Sequence, residues 1–208
     1  MTKEITLYDL HAHLLPAIDD GPGRIEETLE IIRISSEQGV DSILATPHRK
    51  DVSESYSVDH VEKLLCEVNY RASEYGYPTK VLLGMENHLD PDLPFDINEG
   101  RAIQMNHGKY ILVEMPWSGR PDFLEDTLAE VQKMDLTPVI AHPERMELFQ
   151  KDPLLLFDLV DKGMLTQITA SSVFGKFGGK AMRFAEEIIK NNFGNWSKSF
   201  INNYFAFF

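Results

Sequence analysis

Cysteine occurs once in the 208 residues, at Cys66, so no internal disulfide can form and no set of thiolates can hold a structural metal. Basic residues are scarce. Lys and Arg number 20 against 33 Asp and Glu, a formal charge of −13 at pH 7. Such a balance argues against any partner gripped mainly through a run of phosphates, so no nucleic acid is expected. No run approaches the roughly 20 apolar residues of a membrane span, and Met1-Thr2-Lys3-Glu4 lacks the apolar stretch of a secretion signal. The expectation is a cytoplasmic protein with no membrane span. No linker rich in Pro, Gly or Ser divides the chain and no internal repeat is visible, so residues 1–208 read as a single domain. What the sequence does have is 43% apolar residues, enough for one sizeable core. Its last nine residues are unusually aromatic.

Short apolar runs rich in β-branched residues recur at Ile5–Leu10, Ser42–Thr46, Lys80–Gly84, Tyr110–Glu114, Pro138–Ala141 and Leu165–Thr169. These read as buried strands. Helical spacing fills the intervals Arg24–Gln38, Val58–Tyr75, Pro121–Lys133, Asp152–Lys162 and Gly179–Asn191. In the first of these Ile25, Leu29, Ile32 and Ser36 share a face, and Gly39 follows as a stop. Alternating strands and helices predict an α/β protein with right-handed crossovers and a parallel sheet, doubly wound or closed into a barrel. Six strands are legible and a seventh is missing. Asp90–Asn106, with Pro91 and Pro94, reads as a long irregular excursion.

Four of the seven histidines fall at or just past the carboxyl end of a predicted strand: His11 and His13, His48, and His142. Glu86 and Glu114 do the same. Strand carboxyl ends converge on one face of a parallel α/β fold, so five strands deliver imidazole or carboxylate to one mouth. A single histidine in such a place is usually a hydrogen-bonded structural residue. The joint pattern is different, because so many buried imidazoles and carboxylates repel or stay unsatisfied unless cations sit among them. In His11-Ala12-His13 the two rings lie on the same side of an extended segment and can reach one ion. Asp9 is placed to orient an imidazole as an outer acceptor. Asp19 and Asp20 occupy an Asp-Asp-Gly-Pro loop that serves equally as a turn or helix cap. Mixed imidazole and carboxylate ligation suits Mn, Fe or Zn better than Ca or Mg.

The segment from Asp9 to Pro22, with Ala45-Thr-Pro-His48, Gly84-Met-Glu-Asn-His-Leu89, Val113-Glu-Met-Pro116, Ala141-His-Pro-Glu-Arg145 and Thr169-Ala-Ser-Ser172, resembles the polymerase and histidinol phosphatase (PHP) superfamily. Within it, the closest likeness is to the bacterial protein-tyrosine phosphatases of capsule and exopolysaccharide operons. The resemblance spans roughly residues 5 to 190, with several motifs in the right order. It implies a distorted (β/α)7 barrel with up to three divalent ions, Mn2+ or else Fe or Zn, at the strand carboxyl ends. By it, His11 and His13 hold the first ion and Glu86 bridges to a second, which Glu114 and His142 complete. Asp20 and His48 hold a third. Arg145 grips the substrate phosphate with its guanidinium fork, and a metal-activated water attacks phosphorus. The implied substrate is a phosphotyrosine protein, with the tyrosine kinase of a polysaccharide export system as the target.

The cysteine route to the same reaction is not supported. Cys66-Glu-Val-Asn-Tyr-Arg71 has four residues between Cys and Arg, where the phosphatase loop needs five, and it lies in a predicted helix as a buried residue. Departure from the family begins near Asn192. Relatives continue into a last strand ending in Ser-Asp-Ala-His, whose Asp and His complete the first and third sites. Here no Asp follows Asp161 and no His follows His142, so the last strand is altered or incomplete. A segment from Phe200 to Phe207 can still extend as a strand, without ligands, and can pair with a second copy. The implied consequences are fewer than three tightly held ions and lowered activity. Two alternatives share these residues: a PHP phosphoesterase for a small phosphomonoester such as histidinol phosphate, and a catalytically impaired module that binds metal or a partner.

Overall fold

The computed structural model describes residues 6–192. Its elements alternate through most of the chain: β1 (Leu7–Ala12), α1 (Ile25–Glu37), β2 (Val40–Ala45), α2 (Arg49–Ser55), α3 (Val58–Glu74), β3 (Lys80–Leu83) and β4 (Asn87–His88) come first. They are followed by α4 (Leu93–Asn98), β5 (Tyr110–Glu114), α5 (Leu124–Lys133), β6 (Thr137–Ala141), α6 (Glu147–Lys151), α7 (Pro153–Asp161), β7 (Leu165–Gln167), α8 (Ala170–Val173) and α9 (Gly178–Asn192). All pairings are parallel, in one sheet ordered β1-β2-β3 and another ordered β4-β5-β6-β7. The result is the expected α/β architecture of parallel strands and covering helices. The tail from Phe193 onward, with the predicted strand Phe200–Phe207, lies outside the described residues.

Each helix earns its place by one apolar face. In α1 the buried side chains are Thr28, Leu29, Ile32 and Ser35, and in α5 they are Leu124, Thr127, Leu128 and Val131, both at helical spacing. The first half packs around Ile32, Ile43, Val61, Val68 and Met85, the second around Ile111, Val113, Leu128, Ile140, Phe149 and Leu159. Leu112, Val139 and Ala141 form a smaller third cluster, with Met105, Tyr110 and Leu165 packed against it.

The two sheets meet at Gly84-Met85-Glu86. There the chain leaves β3, which pairs with β2, and enters β4, which pairs with β5, while a single parallel bridge joins Glu86 to His48 after β2. Gly84 N–H donates to Ala45 O at 2.9 Å, Glu86 N–H to Pro47 O at 3.1 Å, and Arg49 N–H to Glu86 O at 3.0 Å. Buried Asn87 fills the gap by donating its amide to the carbonyls of Met85 at 2.9 Å and Leu112 at 3.0 Å. The seam therefore has few orphaned backbone groups.

Three expectations are corrected. The extra strand among the described residues is β4, two residues long, between the predicted third and fourth strands. The excursion Asp90–Asn106 contains α4, which starts with Pro at the first turn, where a missing N–H costs nothing. Cys66 is exposed rather than buried, because the inward face of α3 is Val61, Val68 and Ala72 and Cys66 points away from it. Among the described residues no helix is long and apolar enough to cross a membrane.

Asn87→Leu should test the seam. It leaves two buried carbonyls without donors, and a loss of about 2–4 kcal/mol of unfolding free energy is expected in urea titration, against no more than about 0.5 kcal/mol for the exposed Glu62→Ala.

Candidate metal centre

The strand ends bring the predicted residues together around one carboxylate. Glu86 is 1% exposed. Its Oε2 lies 3.2 Å from His11 Nε2, 3.1 Å from His13 Nε2 and 3.3 Å from His48 Nδ1, while Oε1 meets His142 Nε2 at 2.8 Å. Three imidazole nitrogens on one oxygen are more than its lone pairs satisfy as hydrogen bonds. Donor atoms about 3 Å apart are, however, what metal–ligand bonds of about 2.1 Å give at neighbouring vertices. Glu114 adds Oε1 at 3.8 Å from His142 Nε2.

Local structure explains the aim of each ring. In β1 the register slips between Asp9 and Ala12, a bulge that re-aims the strand at His11. The slip ends before His13, whose ring reaches the same carboxylate. His142 follows β6 in the left-handed region, φ 30°, an uncommon backbone for a non-glycine residue that the surrounding structure must hold in place. Gly21 closes the loop after His13: a Cβ there would meet His13 O at 2.5 Å, so the turn that carries Asp19 and Asp20 approaches only because Gly21 has no side chain.

An outer layer fixes the rings. His13 Nδ1 donates to Asp19 Oδ2 at 2.6 Å, and Asp19 also accepts the backbone N–H of Gly21 and of His48, both at 3.1 Å. His11 Nδ1 meets Gln167 Oε1 at 2.8 Å. These bonds fix which ring nitrogen points inward. The orienting role expected of Asp9 falls instead to Asp19 and Gln167. Asp9 accepts the backbone N–H of His11 at 3.1 Å and touches no ring. Asp20 is the exposed member of its pair, its Oδ1 3.3 Å from His13 Nδ1 and 4.0 Å from His48 Nε2.

The charge balance calls for cations. Burial alone would raise Glu86, but His11, His13 and His142 hold its carboxyl well below the usual range. Burial would lower His13, yet its bonds to Asp19 and Glu86 outweigh this and push it up to about 10. Burial pushes Asp9 up to about 7 against the pull of His11. Without a cation, a proton on His13 supplies charge that the carboxylates demand. A divalent ion supplies it with the rings neutral.

Three donor groups result: His11, Glu86 and His142; His13, Asp20 and His48; and His48, His88 and Glu114. His88 was missed by sequence reasoning. Its Nε2 is 2.9 Å from Glu114 Oε2, and the signal available was its place in Glu86-Asn-His88, two residues past a strand-end glutamate. Buried Nδ1 atoms of His48, His88 and His142 have no hydrogen-bond partner, which fits donors built for something other than protein acceptors. Arg145 sits beside the mouth, its guanidinium 5.3 Å from the centre of the Trp117 ring and 4.3 Å from that of Phe177. Among the described residues it has no carboxylate partner.

Fold and site together define an α/β protein of parallel sheets whose strand carboxyl ends carry a histidine and carboxylate centre. The chain belongs to the family described as capsular polysaccharide synthesis, CpsB/CapC, whose model matches residues 7–195. It is 33% identical over 186 residues to the tyrosine-protein phosphatase YwqE of Bacillus subtilis (strain 168), covering 89% of this chain and 73% of that one. To the putative tyrosine-protein phosphatase CapC of Staphylococcus aureus it is 30% identical, covering 93% and 76%. A solved chain matches with a TM-score of 0.82 and 32% identity over 96% of this chain and 82% of its own. It comes from the crystal structures of YwqE from Bacillus subtilis and CpsB from Streptococcus pneumoniae, described as unique metal-dependent tyrosine phosphatases.

Removing an orienting group should loosen the metal and leave the fold. Asp19→Ala and Gln167→Leu are each expected to weaken Mn2+ binding by about 10- to 100-fold in a chelator competition titration, with the far-UV circular dichroism unchanged.

Proposed function

We propose that this chain is a metal-dependent protein-tyrosine phosphatase in which His11, His13, Asp20, His48, Glu86, Glu114 and His142 hold divalent ions and Arg145 receives the substrate phosphate. The observation that carries it is the convergence of four imidazoles on buried Glu86 beside a guanidinium with no carboxylate partner among the described residues. The metal-dependent tyrosine phosphatases among its relatives supply the reaction. Manganese suits the mixed donor set. Strand order following chain order, with His11 of β1 bonded to Gln167 of β7, supports a distorted (β/α)7 barrel forming one domain, and a cytoplasmic location is proposed with it. A polysaccharide-export tyrosine kinase is the proposed natural target.

Bound divalent ions would acidify a water molecule, neutralise phosphate oxygens and stabilise the charge that grows in the transition state. The protein's share is geometric and electrostatic. Glu86 would hold an ion together with His11 and His142, while its Oε2 also lies against His13 and His48 of the neighbouring donor group. Asp19 and Gln167 keep the inward ring nitrogens free of protons. Arg145 places two parallel donors against phosphate oxygens and orients them for in-line attack. The departing phenol has a pKa near about 10, so it leaves with far less need of a proton than an alkyl alcohol would.

Hydrolysis of a phosphotyrosine peptide tests this. Activity should vanish with a chelator and return with Mn2+, Arg145→Ala should lower kcat/KM about 100-fold, and Cys66→Ser should stay within about twofold of the parent. Chelator-resistant activity that disappears in Cys66→Ser would overturn the proposal.

A further inference from the structure

Trp117 has no role in the site described so far, although it follows β5 in the loop after Glu114 and leaves 52% of its surface exposed. It is not a loose side chain. Its carbonyl accepts the Glu147 N–H at 3.0 Å, and its ring lies nearly parallel to that of His142, 20° apart with centres separated by 6.1 Å. Arg145 lies over the same ring, and its guanidinium also lies over the ring of Phe177. Phe177 is 40% exposed and Phe174, one turn away, is 83% exposed. Trp117 and Phe177 are thus two partly exposed aromatic rings gathered on Arg145 at the strand-end mouth, a surface that asks for a ligand.

We infer that Trp117 and Phe177 form the wall that recognises the phenyl ring of phosphotyrosine, and thus decide that aryl rather than alkyl phosphates are hydrolysed. The inference rests on the phosphatase reading above and adds the residues that read the leaving group. Its geometry follows from the placement of the rings. Aromatic pairs attract at centre separations of about 4.5–7 Å, the spacing at which Trp117 already stands from the metal-centre ring of His142. A phosphate held between that centre and Arg145 brings its ester ring within this range of Trp117. A serine phosphate held in the same place presents only an alkyl carbon, which leaves the indole in water. Arg145 contributes twice, since its plane stacks on the aromatic wall while its N–H fork faces the phosphate.

The test compares substrates that differ only in the ring. Full-length Mn2+-loaded protein, Trp117→Leu, Trp117→Phe and Phe177→Leu are assayed on peptides of one sequence bearing phosphotyrosine or phosphoserine, with binding of each peptide measured by fluorescence anisotropy. Trp117→Leu and Phe177→Leu should raise KM and Kd for the phosphotyrosine peptide about 3- to 10-fold, with kcat within about twofold. Their phosphoserine values should not move, and Trp117→Phe should restore most of the loss. Equal loss on both peptides would make the wall a mere support for Arg145 and overturn the inference, as would no loss on either. If the parent protein hydrolyses neither peptide, the phosphatase reading fails by itself. The binding arm then still decides the wall, which is overturned if phosphotyrosine and phosphoserine peptides bind the parent equally.

Discussion

The carboxylate of Glu86 is the point on which the rest of the structure depends. A buried anion with no compensation costs several kcal/mol, and Glu86 is compensated from four directions by rings carried on β1, on the segment after β2 and on the segment after β6. The same residue is where the two sheets join. Its N–H and C=O bond to Pro47 and Arg49 on one side, and the chain turns to pair with β5 immediately after. The electrostatic centre and the topological seam therefore coincide, and neither can shift without the other. That coincidence explains why the site needs so little flexible apparatus: the sheets themselves set the distances between ligands.

A second ring of interactions holds what the first would push apart. Arg49, 4% exposed, pairs with Asp90 and Asp96 and donates to the His88 carbonyl at 3.1 Å. It ties α2, which begins after His48, to β4 and α4. Burying one cation between two carboxylates gains little net stability over an apolar trio, because desolvation offsets most of the attraction. Its value lies in register. His48 and His88 sit at the two ends of this clamp, their rings 5.3 Å apart, and the donor group of His48, His88 and Glu114 depends on that spacing. Glu144 does similar work on the other side, accepting from Thr169 N–H at 3.1 Å and from the Ser172 hydroxyl at 2.7 Å. It fixes the loop after β7 against the segment that carries Arg145.

Much of this was legible in the sequence, for reasons that differ by element. Strands such as Tyr110–Glu114 announce themselves by β-branched and aliphatic runs because they are buried on both faces. The strand-end histidines and glutamates stand out because charged groups interrupt such runs only where something compensates them. What escaped was short or polar. β4 has two residues and no pattern, so His88 had no strand to be assigned to. α2 reads Arg-Lys-Asp-Val-Ser-Glu-Ser and buries only Arg49 and Val52, which leaves no apolar period to detect. Gln167 escaped because a neutral amide is not among the residues that signal a charged centre, yet the proton of a ligand imidazole needs only an acceptor. Asp19 and Asp20 could not be separated at all, since adjacent carboxylates differ only in which one the turn at Gly21 folds inward.

The acidic balance of the chain and an anionic substrate are reconciled by range. At physiological ionic strength charges are screened beyond about 8 Å, so the outer surface exerts little force at the mouth. Much of that surface is already paired: Glu27 with Arg24 at 3.0 Å and Glu30 with Arg33 at 2.7 Å, both beside the cleft that His13 lines. Inside the mouth, divalent ions would balance the buried carboxylates with the imidazoles as neutral ligands, and Arg145 is left over. Net positive charge is thus confined to the few ångströms where a phosphate must sit. The helical Cys66–Arg71 segment offers nothing comparable. Arg71 is paired with Glu67 at 2.7 Å and Cys66 faces water on the far side of α3, so that segment offers no free cation beside its thiol. In the proposed function, phosphate recognition falls at the mouth that the seam at Glu86 creates.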